Sequence, residues 1–186
     1  MELHSGKNRN LRGQLFSTEL TVSLSIFLAG VMLYLFVWNS LYNNYVEEQA
    51  DAKMQVVLIG ISDAAVLSQG DPTDWDTTAG MNANSYGFAT SSPNTLSTDK
   101  IYAMQSYFTL DDGINYHNMT EKMGAAGYDL YLDVKDTDGN LLYGFGTLAD
   151  TTNSSISAVS AERLGIIGSD IVKLRVQLSR VRGQSI

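Results

Sequence analysis

The chain has 186 residues, no cysteine, two histidines and a formal net charge of −8, from 12 basic against 20 acidic side chains. An acidic surface repels the phosphate backbone, so nucleic acid is excluded as a partner, and the lack of cysteine excludes disulfides and thiolate chemistry. The length accommodates one membrane span and a single external domain of about 120 residues, enough for one core.

Residues 1–13 form a polar leader carrying Lys7, Arg9 and Arg12, with no structure predicted. Gly13 to Trp38 then reads GQLFSTELTVSLSIFLAGVMLYLFVW. From Leu20 to Trp38 nineteen residues pass without a charge, which at about 1.5 Å per residue matches the roughly 30 Å of bilayer hydrocarbon. Thr21, Ser23 and Ser25 do not prevent insertion, because helical hydroxyls can bond the preceding carbonyls. A buried core helix and a secretory signal segment are the competing readings. The latter has an apolar region of about 7–15 residues and a small-residue cleavage site after it, whereas this run ends in Leu-Phe-Val-Trp-Asn. Lys7, Arg9 and Arg12 precede the span, and Glu47, Glu48 and Asp51 follow it before the next basic residue, Lys53. Basic flanks stay inside, so the N-terminus is expected in the cytoplasm and the chain from about Asn39 outside. Trp38, Tyr42 and Tyr45 suit the outer interface.

The junction Arg12-Gly13-Gln14-Leu15-Phe16-Ser17-Thr18-Glu19, followed at once by the apolar run, resembles the class III signal peptides of archaeal type IV pilin-like proteins. The resemblance implies that a prepilin-type signal peptidase cuts after Gly13, that Gln14 becomes the N-terminus, and that the apolar helix stays on the mature chain to meet other pilin-like subunits. It also assigns Glu19 to subunit registration. Counted from Gln14, Glu19 is the sixth residue, where pilins usually carry this acid as the fifth. On physical grounds a carboxylate at the hydrocarbon edge asks for a partner, and the cleavage that the resemblance implies would supply one, the α-amino group of Gln14 on a neighbouring subunit. The plainer reading is a first-turn acid favoured by the helix macrodipole. Loss of residues 1–13 leaves 9 basic against 19 acidic side chains, a net charge of −10.

Beyond the span, Ala50, Met54, Val57, Leu58, Ile61, Ala64 and Ala65 recur at helical steps with Glu47, Glu48, Asp51 and Gln55 between them. The helix is therefore expected to run from Gln14 to Gln69, about 84 Å if unbroken, with Asn43-Asn44 or Gly60 as places for a kink. Gly70 and Pro72 end it. Residues 71–98 read as loop, with Trp75 expected under the long helix. The stretch ISDAAVLSQGDPTDW also resembles archaeal pilin-like proteins, more loosely.

Ser97 caps a helix to about Phe108, and a second short helix spans about Ile114 to Met123. Leu130, Leu132 and Val134 alternate with Asp129, Tyr131 and Asp133 in a strand whose acidic face is expected to be solvated. Asp136-Thr137-Asp138-Gly139-Asn140 is a hairpin turn. It is not a calcium loop, because the twelfth positions from Asp133 and Asp136 are Gly144 and Thr147, with no closing glutamate. Ile156–Ile167 and Asp170–Arg180 are the last strands, the second with an expected basic solvent face.

The fold class is α+β. A long N-terminal helix, transmembrane over about 20–38, packs on a small antiparallel sheet in a pilin-like arrangement. Its domains are a leader (1–13), the helix (14–69) and an extracellular head (70–186). His4 and His117 are too few for a metal cluster, and no nucleophile or phosphate-loop motif is present, so no enzymatic activity, metal or cofactor is expected. Asn118-Met119-Thr120 and Asn153-Ser154-Ser155 are N-glycosylation sequons in the external part, of a kind that also arises by chance. The expected function is a pilin-like structural subunit or minor component of a type IV filament. A singly anchored surface protein that does not polymerise and an uncleaved sensor are the alternatives.

Overall fold

The structure is a computed structural model that describes residues 9–78, 80–109, 114–150 and 152–182. One helix, α1, runs from Arg9–Leu67, 59 residues without interruption. The chain divides after Glu48 into two compact units. Among the described residues, the first contains the leading part of α1, and the second contains its last turns together with the other elements.

Residues 1–8 of the expected leader lie outside the described residues, but Arg9 to Gly13 are helical. A single glycine costs about 1 kcal/mol in a helix, and a helix nucleated in the apolar run propagates through neighbours of ordinary propensity. Neither Asn43-Asn44 nor Gly60 interrupts α1, for the same reason. Its end agrees with the glycine and proline signals: α1 stops at Leu67, Ser68 N–H still bonds the Ala64 carbonyl at 3.0 Å, and Gly70 has φ +85°.

Past Gln49, one face of α1 is core. Met54, Leu58, Ile61 and Ala65, at steps of three and four, are all buried. They join Leu130, Leu132 and Val134 of β3 (Asp129–Lys135) and Val172, Leu174, Val176 and Leu178 of β6 (Asp170–Val181) in one hydrophobic cluster. With β4 (Leu141–Gly146) and β5 (Ile156–Ile167) these strands form a four-stranded sheet in the order β4-β3-β6-β5, every pair antiparallel. Polar ties hold the helix to the sheet at two heights. Arg180 and the Ser157 hydroxyl both donate to Asp51 Oδ1, at 2.9 and 2.8 Å, and Arg163 Nε donates to Asp63 at 2.7 Å.

The other sheet face departs from expectation. Asp133 is 1% exposed rather than solvated, and Gln177 and Ser179 are buried, so β6 presents a basic face only towards its Lys173 end. The strand order explains this, since β3 and β6 are the two central strands. Asp133 stands between Gly144, which has no side chain, and Arg175, whose guanidinium binds it through Nε at 3.0 Å and through Nη2. Arg175 also lies over the Tyr131 ring at 5.9 Å. An aspartate on an outward strand face is thus covered by its cross-strand neighbours and compensated by one ion pair.

Residues 71–98 are more ordered in role than a plain loop. β1 (Gly70–Asp71) pairs with β2 (Ser85–Tyr86), with a 3-10 turn at Gly80–Asn82 between them. Phe88, Asn94 and Ala89 donate N–H groups to the carbonyls of Ala65, Val66 and Ser68 at 2.9, 2.8 and 3.0 Å. The segment therefore satisfies carbonyls that the end of a helix leaves open. Lys100, at the start of α2 (Thr98–Thr109), adds its ammonium to the Gln69 and Ala89 carbonyls at 2.7 and 3.2 Å. Trp75 is fully buried, in the same hydrophobic cluster as Met54, Leu58 and Ile61 of α1. Its Nε1–H donates to Gly87 O at 3.0 Å and its ring meets Tyr86 edge-on at 5.0 Å. At Gly87 an added Cβ would overlap the Ser68 carbonyl oxygen, so only glycine allows this approach.

The α2 helix buries Ile101 and Met104, and Ser97 Oγ accepts the Lys100 N–H at 3.4 Å as its cap. It covers the free edge of β4, where Gln105 donates to Gly144 O at 3.2 Å. The short α3 (Ile114–Lys122) ends before Gly124, which has φ +85°.

The buried aromatic cluster sets an alkaline limit. Burial, with Tyr107 nearby, pushes the Tyr86 hydroxyl up to about 12 from its ordinary 10.0. The folded state holds this proton more tightly than the unfolded one, so the contribution is complete below pH 10 and is lost as pH rises towards 12. Lys100 acts with the opposite sign. Burial, opposed by Asp76 and Asp74, lowers it from 10.5, so its penalty fades as pH rises towards that value. Stability between pH 10 and 12 is expected to fall less steeply in Tyr86→Phe than in the unaltered chain. Thermal unfolding across that range checks this, and parallel curves would refute it.

Candidate membrane-spanning and processing segment

Between Leu20 and Trp38, α1 is apolar on all sides. Leu20, Ile26, Phe27, Met32, Leu33 and Phe36 point in different directions around α1, and each is more than 60% exposed. Helices that are hydrophobic all round belong inside a large core or a membrane, and no described residue of this chain covers these. From Thr18 the helix contains an eighteen-residue window of mean hydropathy 2.3 with none of it buried, long and apolar enough to cross a bilayer. An exposed apolar surface of this extent requires lipid or protein around it.

Inside the window one hydroxyl is satisfied locally. Ser25 Oγ donates to the Thr21 carbonyl at 2.8 Å, the self-bonding that hydrocarbon demands. At the far end Tyr34 and Trp38 stack with ring centres 6.3 Å apart, and Trp38, Leu41, Tyr42 and Tyr45 line one shallow apolar recess. Rings with one polar edge fit the headgroup level.

Glu19 is exposed on α1, beside Thr18, Val22 and Ser23. Its expected place in the first turn is corrected. Because α1 begins at Arg9, the first turn holds no acid and Glu19 lies ten residues in. The macrodipole acts within about the first turn, so it does not account for this carboxylate in the uncut chain. Gly13 and Gln14 fall within the helical stretch, while their side chains lie outside the described residues.

The sequons are far apart in kind. Asn118 is exposed on α3, and Asn153 is exposed in the turn before β5. Among the described residues, no three His, Asp or Glu side chains gather as a metal site. Sequence reasoning missed the Asp51–Arg180–Ser157 tie and the Asp133–Arg175 pair. Partners separated by 129, 106 and 42 positions leave no local pattern to find.

Comparison with known proteins gave no match: no family model, no curated protein and no solved structure aligns with this chain.

Proposed function

We propose that this chain is a pilin-like structural subunit of a type IV filament, major or minor, anchored by α1 before assembly. The observation that carries the reading is the combination of an all-round apolar, uncovered helix with one carboxylate, Glu19, at its leading edge and a glycine six residues before it.

The mechanism is structural. A prepilin-type peptidase cuts between Gly13 and Gln14, which removes Arg9 and Arg12 and leaves an α-amino group at the start of the apolar run. The helix then leaves the lipid and packs against neighbouring copies. Van der Waals contacts between helices replace contacts with lipid tails at little net hydrophobic change. Glu19 pairs with the new α-amino group of a neighbour, which offsets its removal from water and sets the axial register. The second unit stays outside, tied to α1 through Asp51 and Asp63.

Shearing tests this against a solitary anchor. Filaments sheared from intact cells, pelleted and probed for this chain, are expected to contain it in its processed form. Retention of the whole pool in the membrane fraction would exclude polymer and favour the singly anchored surface protein.

A further inference from the structure

The two sequons stand in opposite backbone contexts, and the difference decides which one a transferase can use. Asn118 to Thr120 lie within α3, where residues two apart project about 200° from each other around the axis. Asn118 faces solvent, whereas Met119 is fully buried and Thr120 is 3% exposed, its hydroxyl donating to the His117 carbonyl at 2.9 Å. An enzyme that must grip the asparagine amide and the hydroxyl two residues on from the same side finds them on opposite faces. Reaching both requires unwinding α3 and drawing Met119 out of the core.

Asn153 to Ser155 offer the reverse. All three are exposed in the turn that leads into β5. The Ser155 N–H donates to Asn153 Oδ1 at 2.9 Å, and the Ile156 N–H donates to the Asn153 carbonyl at 3.0 Å. The backbone thus curls around the asparagine, and both Asn153 and Ser155 are exposed to solvent. Asn153 Nδ2 makes no hydrogen bond among the described residues. No core residue has to move for this site to be presented.

We propose that Asn153 is N-glycosylated and that Asn118 is not. In the transfer, Nδ2 of Asn153 bonds to the anomeric carbon of a glycan carried on a lipid phosphate. The bond from that carbon to the phosphate oxygen breaks, the lipid phosphate leaves with the electron pair, and the amide proton passes to a base of the transferase. Nothing is oxidised or reduced. The inference rests on the external placement of the second unit in the reading above.

The full chain, purified in mild detergent from its native membrane, tests this by intact mass and peptide mass spectrometry. The expected result is a glycan on the Asn153 peptide, none on the Asn118 peptide, and complete loss of the added mass in both Asn153→Gln and Ser155→Ala. Asn118→Gln is expected to change the mass by the substitution alone. A bare Asn153 overturns the proposal, and so does a glycan on Asn118, which would mean that acceptors are taken before the fold forms. Because the chain has no cysteine, Asp138→Cys in the exposed hairpin turn supplies a unique thiol. Labelling of that thiol on intact cells by a membrane-impermeant maleimide, with Asn153 bare, defeats the glycosylation proposal alone. Absence of labelling defeats the external placement and the proposal together.

Discussion

Glu19→Ala is expected to remove the chain from sheared filaments while leaving the processed membrane pool at its usual level. Breaking one partner out of a buried ion pair costs about 3–5 kcal/mol, so a fall of at least tenfold in incorporation is expected. Glu19→Gln keeps the shape and hydrogen-bonding capacity but not the charge, and is expected to incorporate poorly as well. Quantitative blotting of sheared and membrane fractions gives both numbers. Incorporation of Glu19→Ala at the ordinary level would show that the carboxylate does not set register.

Trp75→Ala has the largest expected effect on stability. Truncating a fully buried tryptophan costs about 3–5 kcal/mol. Here it also leaves the Gly87 carbonyl without its donor and removes the edge contact with Tyr86. For a unit of this size that corresponds to a fall in Tm of about 10–20 °C. Scanning calorimetry of the full chain in detergent measures it. Trp75→Phe retains most of the buried area and loses only the Nε1–H bond, so its expected loss is about 1–2 kcal/mol. Equal losses in the two variants would mean that the hydrogen bond to Gly87, not the packing, carries the contribution of Trp75.

The elements with local periodicity were legible in the sequence. The steps Met54, Leu58, Ile61 and Ala65 announced the buried face of α1, and the alternations Leu130, Leu132, Val134 and Val172 to Leu178 announced the inner face of the sheet. Both patterns report local geometry, with periods of 3.6 and 2, and so survive without knowledge of partners. Burial on the second sheet face was not legible. Whether Asp133 meets water depends on which strands flank it, and that order is fixed by pairings with Gly144 and Arg175 from elsewhere in the chain. The role of residues 71–98 was hidden for the same reason. Their composition reads as loop, yet their N–H groups complete the hydrogen bonding at the end of α1. In the candidate site, the apolar run was plain from composition alone. The position of Glu19 within the helix was misjudged, because weak helix formers before Gln14 do not by themselves stop a helix already nucleated.

The central claim is that α1 serves first as a membrane anchor and, after a cut behind Gly13, as the packing element of a polymer. The mature N-terminus, read by mass spectrometry on the chain recovered from membranes and from sheared filaments, tests it most directly. The account predicts a first residue of Gln14 in both fractions. A chain that still begins with Met1, or one recovered entirely from the aqueous fraction, would contradict it.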